Sequence, residues 1–227
     1  IMTKKKTSLT RQKLKTPRAA SIAGILFALL YGASLILIRI SVPTGQAANS
    51  AWLESHYRTV SLALNLVPYA GIAFLWFIGV IRDRLGELED RFFGTVFLGS
   101  VLLFLAMNFV GAALAGGLLS SYALEKGALL NSGVYTYNRA VMYNIINIYA
   151  IRMAGVFMIS LGTIWLRTGL MQRGWTFLTY GFALVLLLSV TFSAWVTVIF
   201  PGWVLMVSIH FLILNLREQG HDALGEN

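Results

Sequence analysis

The length, composition and charge of this chain exclude an ordinary water-soluble protein. Its 227 residues are 57% hydrophobic and only 12% charged, with a mean hydropathy of +0.73, whereas a soluble domain is about 45–50% apolar and about 25% charged. So few charged side chains would leave large apolar surfaces in water, and the chain is also too apolar to be disordered. We therefore predict an all-α integral membrane protein.

The apolar segments predict a compact bundle of six transmembrane helices. A helix needs roughly 20 apolar residues to cross a bilayer about 30 Å thick. The stretch Gly174–Leu216 has no Lys, Arg, Asp or Glu and is about twice the length of one crossing, so we expect it to fold back at Phe200-Pro201-Gly202. The alternative is five spans plus a re-entrant segment. The six predicted spans are residues 19–42, 59–81, 92–118, 141–166, 175–198 and 200–216.

The distribution of basic residues predicts the topology. The bundle, residues 19–217, lies between a basic tail, 1–18, and a C-terminal tail, 218–227. Six crossings place both tails on one side together with 13 of the 18 Lys and Arg residues, and this excess predicts a cell-membrane protein with both termini cytoplasmic. The net charge of +9 then reflects topology, so we expect no nucleic-acid partner. The basic residues on the opposite side are Arg39, Arg58, Lys126, Arg139 and Arg152.

The N-terminal tail is the part of the sequence that favours anionic lipids. It carries seven basic and no acidic residues before Ala19. Clusters of Lys and Arg next to a transmembrane helix are attracted to negatively charged headgroups. We therefore expect the lipid bilayer, with anionic lipids at this tail, to be the first partner of the protein.

Two stripes of small residues indicate faces where helices pack closely. Between helices in lipid there is little hydrophobic driving force, so association depends on small residues that let backbones approach. Spacings of four residues place Gly24, Ala28 and Gly32 on one face of the first span, and the third span contains the overlapping pairs Gly111/Ala115 and Ala112/Gly116. We expect partners mainly within the same chain, although a second copy is the alternative. The residues are Gly24, Ala28 and Gly32 in the first span and Gly111, Ala115 and Gly116 in the third.

The sequence contains no pattern typical of a catalytic or metal site. No Asp or Glu lies within a predicted span, which disfavours proton-coupled transporters, intramembrane aspartyl proteases and di-metal carboxylate bundles. There is no cysteine, and the three histidines, His56, His210 and His221, fall in three separate regions, whereas zinc needs three or four ligands. We expect neither a cofactor nor enzymatic activity.

A few polar residues within the spans are candidates for a functional site. Arg152, Asn144 and Asn147 could line a polar vestibule on the outer side, where an arginine favours anions or lipid phosphate. The favoured interpretation is a structural Arg152 whose side chain extends to the membrane surface, with this vestibule as the alternative. For His210 we expect a neutral, hydrogen-bonded histidine, with pH sensing as the alternative. Asn108 is expected to bond between helices.

Tyrosines concentrate in one part of the chain. Because a tyrosine has an apolar ring and a polar hydroxyl, it favours the membrane–water interface, and a belt at the outer surface is the expectation. A ligand-binding cap over the bundle is the alternative. The five tyrosines are Tyr122, Tyr135, Tyr137, Tyr143 and Tyr149.

These patterns favour two functions from different classes. The first is a non-catalytic accessory or assembly subunit that binds membrane partners or lipids through its packing faces. The second is a small oligomeric channel whose mouth is the outer Arg and Asn vestibule. A channel needs a continuous polar path, whereas an assembly subunit needs only surfaces. Because intramembrane polar residues are few, we favour the accessory subunit, either as a homo-oligomer or as part of a membrane complex.

Overall fold

The computed structural model describes residues 16–42, 51–85, 91–131, 133–188 and 194–225, and every regular element in these ranges is helical. The prediction of an all-α protein is therefore confirmed. The basic side chains expected to bind anionic lipid, in residues 1–18, lie outside the described part. The elements are α1 (Thr16–Ser41), α2 (Ala51–Ser55), α3 (Tyr57–Leu85), α4 (Arg91–Leu124), α5 (Lys126–Asn131), α6 (Val134–Asn144), a π-helical segment (Ile145–Ala150), α7 (Ile151–Thr168), α8 (Arg173–Leu188), a 3-10 turn (Ala194–Val198) and α9 (Ile199–Gly225).

Five helical segments are long and apolar enough to cross a membrane. Helix α8 is also apolar, but its 16 residues extend only about 24 Å, less than the hydrocarbon core of a bilayer. The chain thus has the architecture of a multi-pass membrane protein. The five segments are Ala19–Ser41, Tyr57–Asp83, Phe92–Leu124, Val134–Thr168 and Trp195–Leu214.

The predicted reversal at Phe200-Pro201-Gly202 is wrong. These residues lie in the first turn of α9, which follows directly on the 3-10 turn Ala194–Val198, and the helix continues through them. Proline is tolerated in the first turn of a helix because its missing N–H has no intrahelical partner there. The predicted spans 175–198 and 200–216 therefore correspond to α8 and to a single helix that continues to Gly225.

Neighbouring long helices pack antiparallel. Helix α1 runs along α3, with the Phe27 ring stacked on Phe74 near one end and the Ser34 hydroxyl donating to the Ala63 carbonyl oxygen, 2.8 Å away, towards the other. Helix α1 also packs along α9, and α7 packs between α4 and α8. Two contacts for each of the other pairs show the same antiparallel direction. Helix α4 meets α7 and the π-helical segment at Phe97–Phe157 and Gly111–Ile146, and α7 meets α8 at Gly155–Leu187 and Thr163–Tyr180. Helix α8 meets α9 at Trp175–His210 and Thr179–Trp203.

Aromatic rings fill the centre of the bundle. Five long helices contribute one phenylalanine each, and a tryptophan from α9 joins them. The closest pairs are Phe27–Phe74, with ring centroids 4.4 Å apart, and Phe104–Phe200, at 4.8 Å. No ring of the group is more than 1% exposed. We call this group the aromatic core: Phe27, Phe74, Phe104, Phe157, Phe200 and Trp203.

A second, smaller apolar cluster lies at the end of the bundle where α1 ends and α3 begins. It buries Trp52 and Leu53 of α2 against residues of α4, α5 and α6. The Trp52 indole N–H donates to the Tyr135 hydroxyl oxygen, 2.9 Å away. We call this cluster the cap. On its surface, Lys126 lies 3.2 Å from a Glu54 carboxylate oxygen, and hydrogen bonds to Tyr122 and to Glu54 raise the pKa of the lysine.

Candidate functional site

Arg39, near the end of α1, is a charged residue that the bundle partly encloses. The residue as a whole is half-buried. One terminal nitrogen, Nη2, donates to the side-chain oxygen of Asn147, and the same nitrogen lies 3.5 Å from the Thr197 hydroxyl oxygen. A single side chain thus connects α1 with the π-helical segment and with the 3-10 turn before α9.

The π-helical segment holds the asparagine that accepts from Arg39. Asn147 is buried, at 6% exposure, and its amide also donates to the Tyr143 carbonyl oxygen at 3.0 Å. Both ends of the Asn147 side chain are therefore engaged. Single π-helical turns within α-helices are rare and occur frequently at functional sites.

A second hydrogen-bonded pair lies deeper in the bundle. The Tyr31 hydroxyl, two turns before Arg39 on α1, donates to the side-chain oxygen of Asn108 at 2.6 Å. The Asn108 amide donates in turn to the Phe104 carbonyl oxygen at 2.8 Å. Asn108 therefore bonds between helices. We call the two groups together the polar layer: Tyr31, Arg39, Asn108, Asn147 and Thr197.

The charge of Arg39 meets only neutral groups in the described part of the chain. Three carboxylate side chains are described there, Glu54, Asp83 and Glu125; all are exposed and none pairs with Arg39. The buried Nε of Arg39 has no acceptor among the described atoms. A guanidinium with free donors has the geometry to bind an oxyanion.

The structure does not bring the three predicted vestibule residues together. Asn147 is buried beside Arg39, whereas Asn144 and Arg152 have exposed side chains. Because Asn147 lies at the level of Arg39, Arg152 lies five residues, about 7 Å, further from that end of the bundle. The vestibule itself stays a prediction. Sequence reasoning missed Arg39 because an arginine two residues before the end of an apolar segment resembles any interfacial arginine.

His210 lies on α9, far from the polar layer, and its ring faces the start of α8. Its half-buried ring is 4.6 Å from the Trp175 ring and 6.5 Å from that of Phe211, centroid to centroid. These contacts place His210 among aromatic rings. A role in pH sensing stays a prediction.

The two small-residue stripes differ in what they face. A Cβ atom at Gly24 would overlap the Ser208 hydroxyl of α9 and the Phe77 ring of α3, and one at Gly32 would lie 4.0 Å from Pro201. Ala28, between them, is buried. The first stripe is therefore covered by α3 and α9 of the same chain.

The second stripe is covered at one end only. A Cβ at Gly111 would come within 2.5 Å of the Ile146 side chain in the π-helical segment. Ala115 is buried, but a Cβ at Gly116 would meet no atom within 4 Å. This end of the stripe has space for a larger side chain in the single chain.

Within the described ranges no group of three His, Asp or Glu side chains is close enough to hold a metal ion. Comparison with protein-family models, with curated proteins and with solved structures gives no match.

Proposed function

We propose that this chain is a non-conducting membrane bundle that acts as an accessory or assembly subunit and binds lipids or partner membrane proteins. The observation that carries the proposal is the aromatic core. A pore through a single bundle needs a continuous polar path, whereas here the rings contributed by α1, α3, α4, α7 and α9 pack against one another at the centre. The outer surfaces remain for binding.

We further propose that α8 makes a sixth, shorter crossing, so that both termini lie on the cytoplasmic side. The antiparallel packing of α8 against α7 and α9 supports this, as does the excess of basic residues on that side. Reporters fused after Arg84 and at Asn227 should both report a cytoplasmic location. An external location at Asn227 would mean that α8 does not cross.

Arg152 supports binding to a partner on the outer surface of the bundle. Its side chain is exposed within the segment Val134–Thr168, and an arginine facing lipid at the centre of a helix costs about 2.5–3.5 kcal/mol on insertion scales, less towards the interface. A polar partner would offset this cost. Arg152→Leu should therefore dissociate an assembly without lowering the thermal stability of the chain itself, whereas Arg58→Leu, an exposed arginine at the membrane surface, should not dissociate it.

The same observation favours the alternative, an oligomeric channel in which the exposed Arg152 and Asn144 line a path between subunits. Flux assays in reconstituted vesicles separate the two functions. We expect no ion conductance over the tested range of voltage and pH. An anion flux that Arg152→Glu converts to a cation preference would overturn the accessory function, because reversing the local charge changes selectivity only in a conducting pore.

A further inference from the structure

The partners of Arg39 leave its charge uncompensated. Its terminal nitrogen contacts the amide oxygen of Asn147 and, at 3.5 Å, the hydroxyl of Thr197, both of which are neutral. Its Nε–H is buried without an acceptor in the described part of the chain. Transferring a charged group into a low-dielectric interior is costly unless an opposite charge accompanies it. The chemistry of the site therefore favours an anion.

The depth of Arg39 indicates where that anion comes from. Arg39 lies two residues before the end of the apolar segment Ala19–Ser41, within about 3 Å of its end along the helix axis. The cap lies at this same end of the bundle. This level corresponds to the boundary between hydrocarbon and headgroups, where the phosphates of lipids lie.

Arg39 is partly accessible from outside the bundle. Arg39 is half-buried, and Tyr143, whose carbonyl oxygen accepts from the Asn147 amide one helical turn away, is 42% exposed. An oxyanion that reaches the exposed part of Arg39 would meet a positive charge. Tyr143, on the same helical face as Asn147 and one turn nearer this end of the bundle, offers a hydroxyl donor. Asn147 and Thr197 bond to one guanidinium nitrogen, so that less conformational freedom is lost on binding.

We propose that Arg39 and Tyr143 form a binding site for a phosphate group, with an anionic lipid headgroup as its source. This inference rests on the proposed function, since it names the lipid chemistry that such a bundle would recognise. Arginine suits this ligand because its planar fork of donors matches the oxygens of a phosphate.

The test is a lipid titration of the purified full-length protein in neutral detergent, with thermal unfolding as the readout. Short-chain phosphatidic acid should raise the melting temperature, and short-chain phosphatidylcholine should raise it less because its headgroup has no net charge. Inorganic phosphate forms a third arm. If inorganic phosphate raised the melting temperature as much as phosphatidic acid at the same concentration, the result would support the site but identify free phosphate as the source.

Two variants make the test specific. Arg39→Lys keeps the charge and the fold but loses the planar fork, and it should weaken phosphatidic acid binding about tenfold. Arg58→Gln is the control at the same depth in the membrane. Ser34 of α1 bonds to Ala63 of α3, and the two helices are antiparallel. Arg39 lies five residues after Ser34 and Arg58 five residues before Ala63, so the two arginines are at the same level. The affinity of this control should stay within about twofold of wild type.

Three results would overturn the site: no shift with any phosphate compound, unchanged affinity in Arg39→Lys, or an equal loss in Arg58→Gln. The flux assay is independent of these results. A conducting protein that still binds phosphatidic acid through Arg39 would overturn the proposed function and keep the site. If the protein does not conduct ions and does not bind phosphatidic acid, the site is overturned and the proposed function is kept.

Discussion

The aromatic core and the polar layer stabilise the same bundle by different means. Each ring of the core contacts several others, as Phe200 does with Phe27, Phe74, Phe104 and Phe157, so the core depends on many weak contacts that need no exact geometry. In the polar layer each side chain has one or two directional bonds. The first arrangement makes a stable bundle, whereas the second fixes helix register and leaves donors for a ligand.

The polar layer lies mainly in the half of the bundle where α1 ends, beside the cap. A hydrogen bond is electrostatically stronger in this low-dielectric setting than in water, and an unpaired polar group is correspondingly more costly. Changes in the core should therefore affect stability in proportion to lost volume, and changes in the polar layer should depend on whether a partner is left unpaired. The following variants test this difference, from the largest expected effect to the smallest.

Phe200→Ala should have the largest effect. It removes a fully buried ring at the centre of the aromatic core, and replacing a buried phenylalanine by alanine typically costs about 3–5 kcal/mol. Phe177→Ala is the control, because Phe177 is 64% exposed and should change the free energy of unfolding by about 0.5 kcal/mol or less. Reversible unfolding in mixed detergent measures both. Equal losses would mean that the centre of the bundle is not packed as described.

Gly24→Leu should destabilise the bundle by about 1–3 kcal/mol, because the new side chain has to displace Ser208 and Phe77. Gly116→Leu should leave the stability of the single chain unchanged, since the structure shows space there. Thermal unfolding and particle size should be measured together. If Gly116→Leu dissociates an oligomer, that end of the second stripe is a contact between copies.

Asn147→Leu tests the polar layer by leaving Arg39 without its main acceptor. We expect a loss of about 1–3 kcal/mol, the usual cost of an unsatisfied buried polar group. Combining it with Arg39→Met removes both partners, and the double variant should be more stable than Asn147→Leu alone. A double-mutant cycle from unfolding measurements gives the coupling. Simple additivity of the two changes would show that Arg39 and Asn147 act independently.

Tyr31→Phe should have the smallest effect, about 0.6 kcal/mol, the average for hydrogen bonds between transmembrane helices. It removes the bond to Asn108 while keeping the ring that packs against Phe27 and Phe104. The group that it leaves without a donor, the Asn108 side-chain oxygen, is neutral, whereas Asn147→Leu leaves a charged group without its acceptor. Tyr69→Phe, at an exposed tyrosine, is the control and should leave the free energy of unfolding unchanged. A loss as large as that of Phe200→Ala would contradict the distinction between the two regions.

Local patterns in the sequence sufficed to predict the helical architecture. Apolar length predicted the long helices, because a bilayer imposes a minimum number of apolar residues on any crossing helix. The spacing of Gly24, Ala28 and Gly32 indicated a face that can approach another helix, and in the structure α3 and α9 approach Gly24 and Gly32. Both features depend on residues near one another in the chain.

The helical conformation of Phe200-Pro201-Gly202 was not predictable in this way. Phe200-Pro201-Gly202 resembles a turn in isolation, but proline and glycine are also compatible with the first turn of a helix. Packing decides between the two, since Pro201 lies in α9 against Gly32 of α1. The π-helical segment has the same character, because its residues, Ile145–Ala150, contain neither proline nor glycine to mark it.

The polar layer depended entirely on tertiary structure. Arg39 and Asn147 are 108 residues apart in the chain, and Tyr31 and Asn108 are 77 apart. Sequence patterns identify each as polar within or next to an apolar segment, but which residues meet depends on the rotation and vertical register of the helices. Helix rotation and register are set by the packing of the aromatic core and of the small-residue faces. The sequence alone therefore determined that the chain forms apolar helices, whereas the fold decided that Arg39 would lie beside Asn147.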